Sequence, residues 1–151
     1  MNIFNRKKNQ RFFKPEEEQM IVLAIKEAEG QTSGEIKVHI ESRCEGHPFE
    51  RGLEVFTHLE MQLTRQRNGV LFYLAMKDHR FAIVADEGIN AVVEETFWDD
   101  IKEEMQAYFI AGNIVEGLKK GVLMAGQQLK IHLPYSERDK NEISDDISMG
   151  D

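Results

Sequence analysis

The sequence predicts an α/β fold, specifically a three-layer α/β/α sandwich around a small mixed sheet. Segments with helical spacing of apolar residues lie on both sides of segments with strand spacing. The uninterrupted apolar run from Val70 to Met76 is typical of a strand buried on both faces. The 151 residues, 41% of them hydrophobic, suffice for one packed domain. The expected element order is α-β-α-β-β-α-α.

The first helix is predicted to begin at Pro15 and to end at Gly30. The fixed φ of proline suits a first helical turn, and three glutamates that follow favour the positive end of the helix dipole. The next segment, "GEIKVHIES", alternates apolar and polar residues and is therefore a strand with one apolar face. The apolar stripe of the helix is Ile21, Ala24, Ile25 and Ala28, and that of the strand is Ile36, Val38 and Ile40.

A second helix, from Pro48 to about residue 60, is predicted to turn Leu53, Phe56 and Leu59 inward. Because a helix connects the first strand to the second, these strands are expected to be parallel. A short polar turn at 77–80 then leads into a third strand at 81–85, antiparallel to the second.

Two further helices are predicted after the sheet. Thr96 with Asp99 resembles a capping box that opens a helix to about Ala111, and Gly112 ends it. Asn113 is expected to cap the last helix. Glycines one turn apart in that helix indicate close packing on its neighbour. The glycines are Gly117 and Gly121, and the buried stripe is Ile114, Leu118, Val122, Ala125 and Leu129.

These elements place a single domain at residues 12–133, between two terminal segments. Residues 1–11 are predicted to be a flexible basic N-terminus, and residues 134–151 an acidic mobile tail. The start also suggests weak contact with an anionic membrane surface. Its basic and aromatic residues are Phe4, Arg6, Lys7, Lys8, Arg11, Phe12, Phe13 and Lys14.

The composition excludes several classes of protein. A net charge of −8 argues against a nucleic-acid binder. The longest apolar run is far below the roughly 20 residues of a membrane-spanning helix, and no secretory signal is apparent, so we expect no transmembrane segment. The single cysteine, Cys44, excludes an internal disulfide and a multi-cysteine zinc site. It favours a reducing compartment, and the expected location is the cytoplasm.

The predicted topology brings three polar loops to one end of the sheet. The starts of the two parallel strands meet the end of the third strand there. Carboxylate, amide and hydroxyl oxygens are ligands that Ca²⁺ or Mg²⁺ prefers, and glycines allow close approach of the backbone. The alternative is that these are ordinary polar loops. The loops contribute Thr32, Ser33, Gly34, Glu35, Asn68, Gly69, Asp86, Glu87 and Gly88.

The opposite end of the first strand carries Glu41, Ser42, Cys44, Glu45 and His47. A thiolate beside a histidine is a candidate nucleophile, but a buried or loop thiol explains the same spacing. His39, His58, His79 and His132 show no shared ligand spacing and are interpreted as surface or hydrogen-bonded histidines. The sequence contains no P-loop, nucleophile-elbow or zinc-protease motif.

The segments "TSGEIKVHI", "RNGVLFYLAMKDHRFAIVADEGIN" and "FIAGNIVEGLKKGV" together resemble the TPM domain family. The family takes its name from a thylakoid lumen protein, a photosystem II repair protein and a nematode receptor modulator. The likeness extends from about Phe12 to Leu133. It implies an α/β/α sandwich and places Glu35, Asn68, Gly69, Asp86 and Gly88 at family positions.

The resemblance also implies a range of functions. Some plant members are described as weak acid phosphatases, some members bind divalent metals, and others assist the assembly of membrane proteins. This chain looks like a short, unanchored bacterial member, since the signal peptide and C-terminal span of many relatives do not appear. Where relatives often have Gly-Asp before the last helix, this chain has Gly112-Asn113.

Two functions therefore remain open. The first is a binding or accessory module, capable of holding a divalent metal, that recognises a protein partner. The alternative is a weak metal-assisted acid phosphatase acting on a phosphorylated substrate. In the enzyme, Glu35 and Asp86 would hold Ca²⁺ or Mg²⁺, Asp86 and Glu87 are the catalytic candidates, and Asn68 would orient the phosphate or complete the metal shell. Ser33, Gly69 and Gly88 complete the predicted binding residues.

Overall fold

The computed structural model describes residues 12–136 and 141–150. A short 3-10 turn, Met61–Leu63, precedes the second strand. The helices are α1 (Pro15–Glu29), α2 (Pro48–His58), α3 (Glu87–Asn90), α4 (Asp99–Ile110) and α5 (Ile114–His132), and the strands are β1 (Glu35–Glu41), β2 (Gly69–Ala75), β3 (Arg80–Ala85) and β4 (Ser148–Met149).

The four strands form one mixed sheet in the order β3-β2-β1-β4. β1 and β2 are parallel, with Glu35 opposite Gly69, and β2 and β3 are antiparallel, with Val70 opposite Ala85. The predicted pairing is confirmed. Its register places the starts of β1 and β2 beside the end of β3.

Helices cover both faces of the sheet, which confirms the predicted sandwich. α1, α4 and α5 enclose the larger core with one face, where Ile36, Val38 and Phe72 are fully buried. α2 covers β2 and β3 on the other face and encloses a smaller core around Phe56 and Tyr73. Large buried apolar side chains in both layers supply the main driving force for folding.

The inward face of α2 differs from the prediction. Leu53 is 43% exposed, whereas Val55 and Phe56 are buried. Gly52 explains the rotation, because a β-carbon there would lie 2.9 Å from a methyl group of Val84. The glycine lets the helix approach the sheet closely with positions 52, 55 and 56 inward, and it leaves position 53 outside. Leu59, also predicted inward, is half-buried against the smaller core.

The predicted helix caps were partly wrong. α4 begins at Asp99 with Trp98 at the N-cap, and no side chain caps it, so Thr96 and Asp99 form no capping box. Packing of the buried Trp98 fixes the helix start instead. Asn113 is at the N-cap of α5 but makes no capping bond through its side chain. Gly112 takes the left-handed φ of 84° expected of a residue that ends a helix.

The C-terminal segment also differs from expectation where it is described. The predicted flexible segment 1–11 lies outside the described residues. Phe12 is partly buried against the core and Phe13 is buried, and the membrane-surface contact through the N-terminus stays a prediction. The predicted mobile tail includes an ordered strand, since Ser148 and Met149 pair in parallel with His39 and Ile40 of β1. No helix in the described part of the chain is long and apolar enough to cross a membrane.

Candidate functional site

The three predicted loops meet at the expected end of the sheet. We call residues 32–35, 66–69 and 86–88 the loop junction. The amide N–H of Glu35 donates to the carbonyl of Asn68 at 2.9 Å, and that of Asp86 donates to the carbonyl of Gly69 at 2.9 Å. The junction is therefore joined by backbone hydrogen bonds as well as by proximity.

Asp86 is held by an arginine from the loop that precedes β2. Arg67 forms a two-bond pair with the Asp86 carboxylate, with distances of 2.9 Å from Nε and 2.8 Å from Nη2. The same carboxylate accepts the N–H of Glu87 at 2.8 Å and so caps the short helix α3. Arg67 also reaches Glu87 at 3.1 Å. Asp86 is therefore occupied as a structural anchor.

Gly88 has a steric reason to be glycine. A β-carbon at this position would lie 2.2 Å from the carbonyl oxygen of Gln66 and 2.5 Å from that of Arg67. The Gly88 N–H donates to the Arg67 carbonyl at 2.8 Å, and Arg67 itself has a left-handed φ of 52°. Close backbone packing within the loop junction accounts for the residue.

Asn68 connects the other two loops. Its side-chain amide donates to the Ser33 carbonyl at 2.5 Å, and its backbone N–H donates to Thr64 Oγ1 at 3.2 Å. The Asn68 Oδ1 atom is buried and has no hydrogen-bond partner within residues 12–136 and 141–150. Of the predicted binding residues, Asn68 and Ser33 thus touch directly, and Asn68 offers one open acceptor.

Glu35 turns away from Asp86 toward the C-terminal segment. Its Oε1 atom accepts the backbone N–H groups of Glu142 at 2.5 Å and of Ile143 at 2.7 Å. Burial, with Glu142 nearby, outweighs these bonds and raises the pKa of Glu35 to about 7. The two carboxylates predicted to share a metal therefore have separate partners.

This arrangement does not fit a cation between Glu35 and Asp86. Ca²⁺ needs six to eight oxygen ligands, and both oxygens of Asp86 already accept from Arg67. In the described ranges, no three histidine, cysteine, aspartate or glutamate side chains come together as metal ligands. The open Asn68 Oδ1 is a single ligand. The Ca²⁺ or Mg²⁺ binding that the family resemblance implies stays a prediction.

A partly buried carboxyl pair borders the loop junction and was missed by the sequence analysis. Glu29, at the end of α1, accepts the Ile36 N–H at 2.9 Å and shares a hydrogen bond with Asp145. Burial first, and then Asp145, raise the pKa of Glu29 to about 9. A cleft of about 400 Å³ lies beside this pair. In the sequence, Glu29 looked like an ordinary charge at a helix end.

The structure differs most from the sequence analysis on the polar side of β1, whose side chains are buried. We call its four side chains the polar row, and each is less than 10% exposed. Two of them bind the C-terminal segment: Lys37 Nζ donates to the Ser144 carbonyl at 3.1 Å, and His39 Nδ1 lies 2.9 Å from Ser148 Oγ. The row is Glu35, Lys37, His39 and Glu41.

The polar row ends in a network centred on Glu41, which we call the Glu41 hub. The carboxylate accepts the hydroxyl of Tyr73 at 2.5 Å and two N–H groups of Arg51 at 2.8 and 3.0 Å. His39 Nε2 lies 3.0 Å from the same carboxylate. Burial alone would raise the pKa of Glu41, but the bonds from Arg51, Tyr73 and His39 together lower it to about 2.

The surroundings of the Glu41 hub also shift the pKa values of Tyr73 and His39. Burial and the hydrogen bond to the carboxylate raise the pKa of Tyr73, so it stays a neutral donor at physiological pH. Burial lowers the pKa of His39 below its ordinary value although Glu41 opposes the shift. The hub therefore holds one negative charge against Arg51 and consists otherwise of neutral donors. The interpretation of His39 as a hydrogen-bonded histidine agrees with these contacts.

Cys44 and His47 do not form a nucleophilic pair. Cys44 is buried, and its thiol lies 3.8 Å from the Gly46 carbonyl. His47 Nδ1 instead accepts the N–H of Phe49 at 3.2 Å and caps α2. The spacing of Cys44 and His47 is therefore explained by a buried thiol and a helix cap.

The sequence contains an indication of the site residues that the sequence analysis missed. β1 was predicted to pair with the central strand, yet four of its seven side chains are charged or polar. A charged side chain on a covered strand needs partners, because burial without them is costly. The sequence therefore predicts that Glu41 has hydrogen-bond partners. It does not predict that these partners are Arg51 and Tyr73.

The fold and its sites together define a class of protein. It is an α/β/α sandwich with a mixed four-stranded sheet, a loop junction closed by an arginine–aspartate pair, and a polar strand covered by a C-terminal segment. The TPM domain model matches residues 7–128. The chain belongs to the TPM domain family.

Solved structures agree with this assignment. The NMR structure of the BA42 protein from the psychrophilic bacterium Bizionia argentinensis is 42% identical, with a TM-score of 0.88, over 94% of this chain and 98% of that one. The N-terminal domain of a protein from P. gingivalis is 20% identical, with a TM-score of 0.67, over 80% of this chain and 78% of that one. The N-terminal domain of the cg2496 protein from Corynebacterium glutamicum, 11% identical with a TM-score of 0.63, covers 93% and 81%. The last two show the fold alone. A comparison with curated proteins found no match.

Proposed function

We propose that this TPM domain is a binding module that acts on other proteins without catalysing a reaction. The main support for the proposal is that the two carboxylates predicted to hold the metal already serve internal partners, and one of them is also a catalytic candidate. Asp86 is paired with Arg67, and Glu35 accepts two backbone N–H groups. A general base must be within reach of its water and able to accept a proton, and Asp86 is committed elsewhere.

The accessory role that the family resemblance implies is consistent with this proposal. A binding module needs a shaped, preorganised surface rather than an activated nucleophile. The polar row of β1 is such a surface, since its side chains hold an extended segment through the main chain. An accessory function toward membrane proteins stays within the proposal as one kind of partner.

The competing function is a weak metal-assisted phosphomonoester hydrolase. The open Asn68 Oδ1 beside Ser33 is the observation in its favour, because a buried acceptor of this kind is able to accept from a bound water or to coordinate a cation. Glu87, the second catalytic candidate, is 72% exposed and pairs with Arg67. It lacks the enclosed surroundings typical of a tuned catalytic carboxylate.

One assay separates the two functions. The full chain is incubated with p-nitrophenyl phosphate in Mg²⁺, in Ca²⁺ and in chelator. We expect no turnover above the buffer blank in any of the three. Metal-dependent turnover that disappears in both Asp86→Asn and Asn68→Ala, with the far-UV spectrum retained, would establish the hydrolase instead.

The binding function is tested in parallel by crosslinking in the native host. The full chain should enrich the same protein partner in independent preparations. The variant Glu103→Gln serves as the matched control, because Glu103 is an exposed residue on α4, outside the loop junction and the polar row, and should capture the same partner. Absence of any reproducible partner contradicts a protein-binding role.

A further inference from the structure

The outer edge of β1 holds the C-terminal segment 141–150 through contacts to its main chain. Glu35 accepts two of its N–H groups, Lys37 donates to its Ser144 carbonyl, and the Gly150 N–H donates to the Ile40 carbonyl at 2.8 Å. Such contacts recognise any extended peptide, because every residue except proline offers an N–H and a carbonyl. This is the strand-addition mode of peptide recognition.

Two positions add side-chain selectivity. The hydroxyl of Ser148 lies 2.9 Å from His39 Nδ1. Two residues later, a β-carbon at Gly150 would lie 2.9 Å from Glu41 Oε1 and 3.2 Å from His39 Nε2. The groove therefore favours a hydroxyl residue followed, two positions on, by glycine.

One buried cation in the groove, Lys37, favours an acidic pair in the middle of the peptide. Lys37 is buried, and Asp145 and Asp146 of the segment stabilise its charged form. Beyond Gly150 the groove continues into a cleft of about 910 Å³ of mixed charge, lined by Arg43 and Arg51 and by Glu41, Glu45 and Glu54. The segment itself pairs with β1 at only two register positions out of the seven residues of the strand.

We propose that this edge of β1 is a docking groove for an extended acidic segment of a partner protein, and that residues 141–150 occupy the groove in cis until the partner displaces them. The proposal rests on the binding function above and names the chemistry of its partner. A partner strand that pairs along more of β1 and reaches Arg43 gains contacts that residues 141–150 do not make. A swapped segment from a second copy repeats the same contacts and adds the cost of association.

The segment in cis competes with any peptide added in trans. A tethered segment has an effective concentration in the millimolar range when it is detached. A test therefore needs a full chain whose own segment is released. Gly150→Val supplies it, because the added side chain would meet Glu41 and His39.

The experiment measures binding of a fluorescein-labelled decapeptide, NEISDDISMG, which has the sequence of residues 141–150. Amide NMR spectra first show whether 142–150 are released in Gly150→Val while the β1–β2 amides keep their positions. We expect the peptide to bind this variant at least 10-fold more tightly than the wild-type chain. We expect the double variant Gly150→Val, Lys37→Met to bind it about 10-fold more weakly than the single variant does.

Changes in the peptide test the stated chemistry. A decapeptide with valine at the last position should lose binding, and one with both aspartates replaced by lysine should bind at least 10-fold more weakly. Equal binding of the lysine peptide overturns the acidic preference. A segment that stays docked in Gly150→Val, or a released groove that does not bind the decapeptide, overturns the docking groove.

Two further outcomes separate the alternatives. A concentration-dependent dimer of Gly150→Val with restored β4 pairing overturns the proposal in favour of a second copy as the occupant. Other results would contradict the proposed binding function, namely metal-dependent phosphatase turnover or the absence of any crosslinked partner. A groove that rejects the decapeptide while a partner is still captured refutes only the groove.

Discussion

Glu41 shows at the scale of one residue how a buried charge is made tolerable. The carboxylate is 4% exposed and would be costly without partners, yet it accepts from Arg51, Tyr73 and His39. Its neighbours are equally dependent on it, since each loses an acceptor if Glu41 is changed. The hub joins β1 to α2 through Arg51 and to β2 through Tyr73.

We therefore expect Glu41→Gln to lower the free energy of unfolding by about 2–3 kcal/mol at pH 7. The value is below that for a fully buried pair because Arg51 is partly exposed. The folded-state pKa of about 2 is below the unfolded value, so this stabilisation is present above about pH 4.5 and lost as pH falls toward 2. Urea unfolding at pH 7 and at pH 3 measures both effects.

The control for this prediction is Glu54→Gln, which removes the exposed neighbour of Arg51 at 3.7 Å. We expect a change within about 0.5 kcal/mol, as for other surface ion pairs. Equal losses in the two variants would mean that the buried hub contributes no more than a surface pair does.

At the scale of an element, β1 shows what a sequence pattern can and cannot predict. Alternation predicted the strand and its apolar face, and the crossover helix predicted its parallel partner. The pattern could not predict what covers the polar face, because that depends on a segment more than 100 residues away in the chain. Ser148 and Met149 lie in an acidic stretch whose composition is typical of disorder, so β4 was not predicted.

In the loop junction, too, the sequence pattern predicts which loops meet, and packing decides where their side chains lie. Strand order alone brought Glu35, Asn68 and Asp86 to one end, and the structure agrees. The sequence could not predict the directions of these side chains, because they depend on partners. The partner of Asp86 is Arg67, and the partners of Glu35 are the amides of residues 142–143. The four-residue helix α3 was also missed, because one helical turn is too short to show a periodicity.

The titration of Glu35 gives a prediction for this element. Its pKa is raised to about 7 in the folded state, so the folded state binds more protons than the unfolded state between about pH 4.5 and 7. The contribution of Glu35 to stability is therefore complete below about pH 4.5 and is lost as pH rises through 7. The slope for one proton is at most about 1.4 kcal/mol per pH unit.

Glu35→Gln should remove this slope while keeping the bonds, because the amide oxygen still accepts the two N–H groups of 142–143. Urea unfolding from pH 4.5 to 8 should show a flatter pH dependence in the variant, with stability at pH 8 at least equal to that of the wild type. A variant that keeps the full wild-type slope would show that Glu35 is ionised in the folded protein throughout this range.

At the scale of the whole molecule, the fold divides into a packed sandwich and a strap of residues 141–150. The sandwich buries two cores on either side of β1, β2 and β3. The strap adds a two-residue strand, the half-buried side chains of Ile143 and Ile147, and hydrogen bonds to the polar row. Regions with few buried apolar contacts open locally without global unfolding.

We therefore expect native-state hydrogen exchange to resolve two cooperative units. The amides of Glu142, Ile143 and Gly150, which donate to Glu35 and to Ile40, should exchange through an opening whose free energy is lower by about 2 kcal/mol or more than that of the β1–β2 amides. This opening should depend little on denaturant, because it exposes little surface. If all these amides share one free energy and one denaturant dependence, the strap unfolds only with the sandwich. In that case a partner would reach the edge of β1 only through global unfolding.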